Sequence, residues 1–127
     1  MTDDPAHPID GQIVLLTGAK ASVPLERIPD LLARAQIDLA GRLDDHRRQY
    51  ECVHETDERA TFLVPLGYWS TAGERLGFGR READAVRRAH EQQLRRIGRE
   101  EGREDEFETA LEVRQVAVVG RRHHDSA

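Results

Sequence analysis

Cysteine, lysine and long apolar runs are all scarce in this chain of 127 residues. The single cysteine, Cys52, can form neither an internal disulfide nor a multi-cysteine zinc site, which suits a reducing compartment. The longest apolar runs, residues 13–16 and 116–119, are far shorter than the roughly 20 residues of a membrane-spanning helix. The acidic start at residues 1–5 is unlike a secretory signal. We therefore expect a cytoplasmic protein with no membrane segment.

The basic residues are almost all arginine, since Lys20 is the one lysine among 19 basic residues. A tyrosine followed four residues later by lysine, the pair used by short-chain oxidoreductases, is therefore excluded. The net charge of −5 argues against a general nucleic-acid coat protein, because non-specific binding depends on neutralising phosphates. At this length the chain fits one compact domain that needs no disulfide or metal to fold.

The apolar pattern predicts three regions and an α+β fold. Residues 1–10 are expected to form a flexible N-terminal arm, residues 11–120 a single domain, and residues 121–127 a polar C-terminal tail. Within the domain the pattern predicts two long amphipathic helices, at about residues 24–48 and 80–99. We expect these helices to pack against a small, mainly antiparallel sheet that consists of a hairpin and a C-terminal strand.

The shorter elements follow from local patterns. The predicted strands are residues 12–17, 49–55, 59–66 and 107–119, although the four apolar residues in a row at 13–16 could also begin a helix. A short helix over residues 70–77 would be capped by Ser70. The last strand is inferred from a period of two, in which Phe107, Thr109, Leu111 and Val113 alternate with mostly acidic residues. Residues 49–55 and 59–66 would pair as the hairpin.

Two motifs suggest chemistry. Gly18 follows a predicted strand, but no further glycine and no Gly-Lys-Ser/Thr follow it, so a phosphate-binding loop is not supported. Cys52 and His54 would share one face of a strand, where a thiolate and an imidazole could ligate zinc or act as nucleophile and base. The alternative is that Cys52 is a small buried hydrophobe. We assign no catalytic residue, metal or cofactor from the sequence.

Arginine pairs recur along the second long helix. Arg81, Arg88 and Arg95 are seven residues apart and would lie along one line of the helix. The predicted interaction or nucleic-acid face consists of Arg80, Arg81, Arg87, Arg88, Arg95 and Arg99. Together with the short helix and the turn at residues 77–79, the region has the order of a helix-turn-helix. The interleaved acids Glu82, Asp84 and Glu91 leave a solvated, internally paired face as an alternative.

The chain resembles a group of small uncharacterised proteins from haloarchaea. The resemblance rests on Tyr-Glu-Cys-Val-His-Glu at residues 50–55, Phe-Leu-Val-Pro at residues 62–65, Trp69 and the arginine-rich residues 80–90. It covers roughly residues 23–120. It implies a cytoplasmic protein and brings no activity, cofactor or functional residue with it.

The function predicted from the sequence is that of a non-catalytic interaction or regulatory module. It would dock a protein partner through the arginine-rich helix 80–99. One alternative is DNA or RNA binding through the same helix, and another is a small enzyme or metal-binding protein that uses Cys52 and His54. Partner identity and oligomeric state do not follow from the sequence.

Overall fold

The structure is a computed structural model that describes residues 8–121. Residues 1–7 of the predicted arm and residues 122–127 of the predicted tail lie outside this range. The described elements are, in chain order, α1 (Gly11–Lys20), a 3-10 turn (Leu25–Arg27), α2 (Ile28–Ala40), α3 (Leu43–Gln49), β1 (Glu51–Glu55), β2 (Arg59–Pro65), α4 (Tyr68–Leu76), α5 (Arg80–Glu101), α6 (Glu104–Leu111) and β3 (Arg114–Gly120). The α+β class is confirmed. None of these helices is long and apolar enough to cross a membrane.

The sheet is an antiparallel meander in the order β1-β2-β3, with β2 in the centre. The hairpin predicted from the sequence is therefore confirmed as β1 and β2. Phe62 of β2 lies opposite Cys52 of β1 and Ala117 of β3. Successive residues of β2 and β3 are buried, so helices or loops cover both faces of these two strands.

The helix α5 is the centre of the fold. It contacts α1, α2, α4, α6 and β3, and its apolar stripe is buried as the sequence predicts. Val86, Ala89, Leu94 and Ile97 are each at most 1% exposed. Burial of this stripe fixes which side of α5 remains at the surface.

The outer edge of β3 is closed by side chains instead of by a further strand. Trp69 Nε1 donates to the Val116 carbonyl (2.8 Å), and the Val118 N–H donates to His90 Nδ1 (2.9 Å). The amide of Gln36 spans two residues of the strand, because Nε2 donates to the Val118 carbonyl (2.7 Å) and Oε1 accepts from the Gly120 N–H (2.9 Å). These bonds satisfy backbone groups that an edge strand would otherwise leave unpaired.

One predicted strand is wrong and another is only partly right. Residues 12–17 lie in α1, where Ile13 and Thr17 form the buried line one helical turn apart and Leu15 and Leu16 are exposed. Residues 107–111 lie in α6, which buries Phe107 alone, so the apparent period of two does not reflect a sheet face. The C-terminal strand begins only at Arg114.

Two further predictions on the helices are corrected. The helix predicted over residues 24–48 is divided into α2 and α3, because the backbone leaves the helical conformation between Gly41 and Leu43. Ser70 is not an N-cap, since α4 already begins at Tyr68 after the left-handed residue Gly67.

The described end of the predicted arm is packed on the domain. Pro8 and Ile9 are buried. The Asp10 N–H donates to Gln93 Oε1 (2.8 Å), and the Asp10 carboxylate accepts from Gln93 Nε2 (3.0 Å). Asp10 also lies 3.4 Å from the Arg59 guanidinium.

Candidate functional site

The predicted arginine face lies on the surface side of α5. The helix begins at Arg80, after Gly79, whose N–H donates to the Glu82 carboxylate (2.8 Å). Because the opposite side packs on the sheet, the six arginines point towards the surface. We call the set of Arg80, Arg81, Arg87, Arg88, Arg95 and Arg99 the arginine face; Arg87 and Arg95 are half-buried and the other four are exposed.

The middle of the arginine face is neutralised by carboxylates. Arg87 pairs with Asp84 (2.6 Å) and Glu91 (2.7 Å), and Arg88 pairs with Asp84 (2.7 Å). Arg95 reaches Glu108 of α6 (2.7 Å). Burial would raise the pKa of Asp84, but the hydrogen bonds from Arg87 and Arg88 outweigh it and lower that pKa. Three of the six arginines are thus internally paired.

The ends of the arginine face carry unpaired cations. Among residues 8–121, Arg80, Arg81 and Arg99 form neither an ion pair within 4.0 Å nor a side-chain hydrogen bond. Every other arginine of the described chain has a carboxylate or carbonyl partner, including Arg34, which donates to the Leu76 carbonyl (2.7 Å). Arg80 and Arg81 also lie in the first turn of α5, where the positive end of the helix dipole repels cations. Local stability does not explain their position.

The helices α4 and α5 are joined as in a helix-turn-helix, but α5 does not protrude. Gly77 ends α4 with a φ of 79°, which favours glycine, and Phe78 in the turn is buried. A Cβ added to Gly73 would lie 2.8 Å from the Ala83 Cβ, so the two helix backbones are in close contact. Since α1, α2 and α6 also pack on α5, only a strip of it is exposed. A recognition helix needs a wider free surface to enter a major groove.

Cys52 and His54 do not form a closed site with other ligands. The pairing register of β1 shifts between them. Cys52 is exposed, so the expectation that it would be a buried hydrophobe is wrong; its Sγ lies 3.6 Å from the His54 carbonyl oxygen. His54 Nε2 lies 3.7 Å from the Glu101 carboxylate. Within the described part of the chain, no three His, Cys, Asp or Glu side chains are grouped as a metal would require.

A groove that the sequence analysis missed lies between α3 and α4. It encloses about 400 Å³, and its lining includes Arg42, His46, Tyr50, Tyr68 and Arg75. His46 and Tyr50 are four residues apart, which is the one sequence signal that could have indicated the site. Tyr68 and Arg75 belong to a different helix, so only the fold brings them to the groove.

Comparison with known proteins identifies a family. A family model described as a domain of unknown function, DUF8048, matches residues 7–121. No curated protein and no solved structure matches the chain. The resemblance to an uncharacterised family is thus confirmed, and its haloarchaeal source stays a prediction. Because the match covers nearly the whole sequence, the chain belongs to the DUF8048 family.

Proposed function

We propose that the protein is a non-catalytic interaction module that docks an acidic surface of a partner protein through the arginine face of α5. The observation that carries this proposal is the position of the three unpaired arginines. Arg80, Arg81 and Arg99 all belong to this face, while every other arginine within residues 8–121 has at least one carboxylate or carbonyl partner within the protein. A partner's carboxylates would supply the missing counter-charges.

The charge pattern favours protein over nucleic acid as the partner. Arg81 and Arg99 are eighteen residues apart, which corresponds to about 27 Å along the helix axis. Between them lie Asp84 and Glu91, with Glu108 beside Arg95. These carboxylates would repel a continuous phosphate backbone, whereas a protein surface can place acidic and basic groups alternately.

Glutamine substitutions at the ends of the face test the proposal. The variant Arg80→Gln/Arg81→Gln/Arg99→Gln breaks no ion pair of the described chain, and the changes at Arg80 and Arg81 remove cations from the positive end of the helix dipole. We expect this variant to fold normally. The control, Arg47→Gln/Arg48→Gln/Arg114→Gln, changes the net charge equally on surfaces away from α5, where exposed ion pairs contribute little to stability.

The measurement is quantitative mass spectrometry of proteins that the full chain captures from host lysate treated with nuclease. We expect the native chain and the control to capture the same set of proteins in equal amounts. The α5 variant should capture about tenfold less of this set, because it loses charge-assisted hydrogen bonds to the partner. Equal capture by all three chains would contradict docking through this face. Capture that nuclease abolishes would instead indicate nucleic acid.

A further inference from the structure

The groove between α3 and α4 has an aromatic wall. The rings of His46, Tyr50 and Tyr68 meet edge to face, with centroids 5.1 Å apart for His46 and Tyr50, and 6.1 Å apart for Tyr50 and Tyr68. Pro65 and Leu66 extend the apolar lining, and Leu66 is exposed. A groove of about 400 Å³ is large enough for a ligand with a single ring.

Two consecutive hydrogen bonds determine which atoms of the aromatic wall can donate to a ligand and which can accept. The Arg42 carbonyl can only accept, so the His46 Nδ1 at 2.8 Å carries the proton. His46 Nε2 is therefore unprotonated and accepts from the Tyr68 hydroxyl at 2.6 Å. The Tyr68 proton points inwards, which leaves its oxygen as a hydrogen-bond acceptor.

His46 and Tyr68 both stay uncharged near pH 7. Burial lowers the pKa of His46 and raises the pKa of Tyr68 above its ordinary value of 10.0. The groove therefore presents uncharged hydrogen-bonding groups beside its aromatic wall at neutral pH.

The rim of the groove has unused positive charge. Arg42 and Arg75 share the carboxylate of Asp38, at 3.1 Å and 2.6 Å respectively. The remaining side-chain nitrogens, both Nη atoms of Arg42 and Nη1 of Arg75, have no partner among the described residues. Asp45 also lines the groove, but it pairs with Arg48. One carboxylate between two guanidiniums leaves a site for a second anion.

We propose that this groove binds a small aromatic carboxylate that also carries a hydrogen-bond donor. The carboxylate would bond the free nitrogens of Arg42 and Arg75. The ring would lie against Tyr50 and the donor would reach the Tyr68 oxygen. This site does not involve the arginine face of α5. A groove that fails to bind the ligand would therefore leave the docking proposal untouched, and the reverse also holds.

The first test uses 4-hydroxybenzoate as the probe and the neutral, isosteric 4-hydroxybenzamide as its control. Both are titrated into the full chain while the backbone amide resonances are followed by NMR. We expect saturable shifts around Gly67 and Thr71, with the amide binding at least about tenfold more weakly, because hydrogen bonds to a charged group are the stronger ones. Equal affinities, or no saturable shifts in the groove, would overturn the proposal.

Single substitutions then locate the two ends of the ligand. Arg75→Gln should weaken binding of 4-hydroxybenzoate about tenfold. The control Arg99→Gln, which changes the charge equally at an exposed residue outside the lining and breaks no ion pair of the described chain, should not weaken it. Tyr68→Phe should weaken 4-hydroxybenzoate but leave benzoate unchanged, because only the first donates to the tyrosine oxygen. Equal effects of Arg75→Gln and Arg99→Gln would contradict the carboxylate site. The comparison of the two probes on the native chain does not depend on these variants folding.

Discussion

Three buried side chains, Gln36, Trp69 and His90, connect distant parts of the sequence to the outer edge of β3. Gln36 and His90 occupy core positions of helices, since each is one turn from apolar residues of its helix stripe. A polar residue at such a position is a sequence signal for a specific hydrogen bond, because an unpaired polar group there is costly. The partner itself, a backbone group of β3, cannot be inferred from helix periodicity.

Replacing Gln36 with leucine tests how much this edge contributes. Gln36→Leu leaves the Val118 carbonyl and the Gly120 N–H without their partners. We expect the free energy of unfolding to fall by about 1–4 kcal/mol, since the orphaned buried carbonyl costs about 1–3 kcal/mol and the half-buried Gly120 N–H adds less. Urea denaturation measures this change. The control Gln49→Leu, at an exposed position, should stay within about 0.5 kcal/mol of the native chain, and equal losses would contradict the prediction.

The elements differ in how well the sequence predicts them. The hairpin and α5 are confirmed because a long regular stripe or two β-rich runs around a polar turn leave few alternatives. The apolar run in α1 misleads because Leu15 and Leu16 are exposed, so composition does not report burial there. In α6 the three acidic residues at positions 104–106 indicate a helix start more strongly than the alternation after them indicates a strand, because carboxylates favour a helix N-terminus.

The candidate sites differ in the same way. The surface position of the six arginines follows from their spacing on one regular helix, so the sequence predicts it. The ion pair of Arg95 with Glu108 depends on α6, which the sequence did not predict as a helix. The groove requires α3 and α4 to meet, and that depends on tertiary packing alone.

Two glycines at helix ends predict opposite effects of alanine. Gly77 ends α4 with a φ of 79°, whereas Gly41 ends α2 with a φ of −75°, which alanine adopts freely. Gly77→Ala should lower the free energy of unfolding by about 1–2 kcal/mol. Gly41→Ala should raise it by about 0.4–1 kcal/mol, by restricting the unfolded chain. Thermal unfolding compares the two, and a Tm for Gly77→Ala at or above the native value would refute the conformational argument.

At the scale of the whole molecule, ion pairs between arginines and carboxylates join elements that are distant in sequence. Asp38 of α2 bonds Arg75 of α4, and Glu51 of β1 bonds Arg114 of β3. These pairs are exposed or half-exposed, so each contributes about 0–1 kcal/mol. The fold therefore depends more on its buried groups, and one of them, the completely buried His90, makes stability depend on pH.

His90 predicts a loss of stability in mild acid. It is completely buried, and burial lowers its pKa from 6.5 to about 3. Below pH 6.5 the unfolded chain binds a proton that the folded chain does not bind until pH is near 3. The contribution of neutral His90 to the free energy of unfolding is therefore complete above pH 6.5. Below pH 6.5 it decreases by up to about 1.4 kcal/mol for each pH unit.

Urea denaturation at pH 7.5, 6.5 and 5.5 measures this decrease at pH values where carboxylates take up few protons. Burial also lowers the pKa of His46, which adds to the slope in the same direction. The variant His90→Gln keeps an acceptor for the Val118 N–H but cannot titrate, so its slope should be smaller even if the variant is less stable at pH 7.5. The variant His46→Gln should retain the His90 contribution. A slope in His90→Gln equal to that of the native chain would show that protonation of His90 does not limit the stability of the fold in acid.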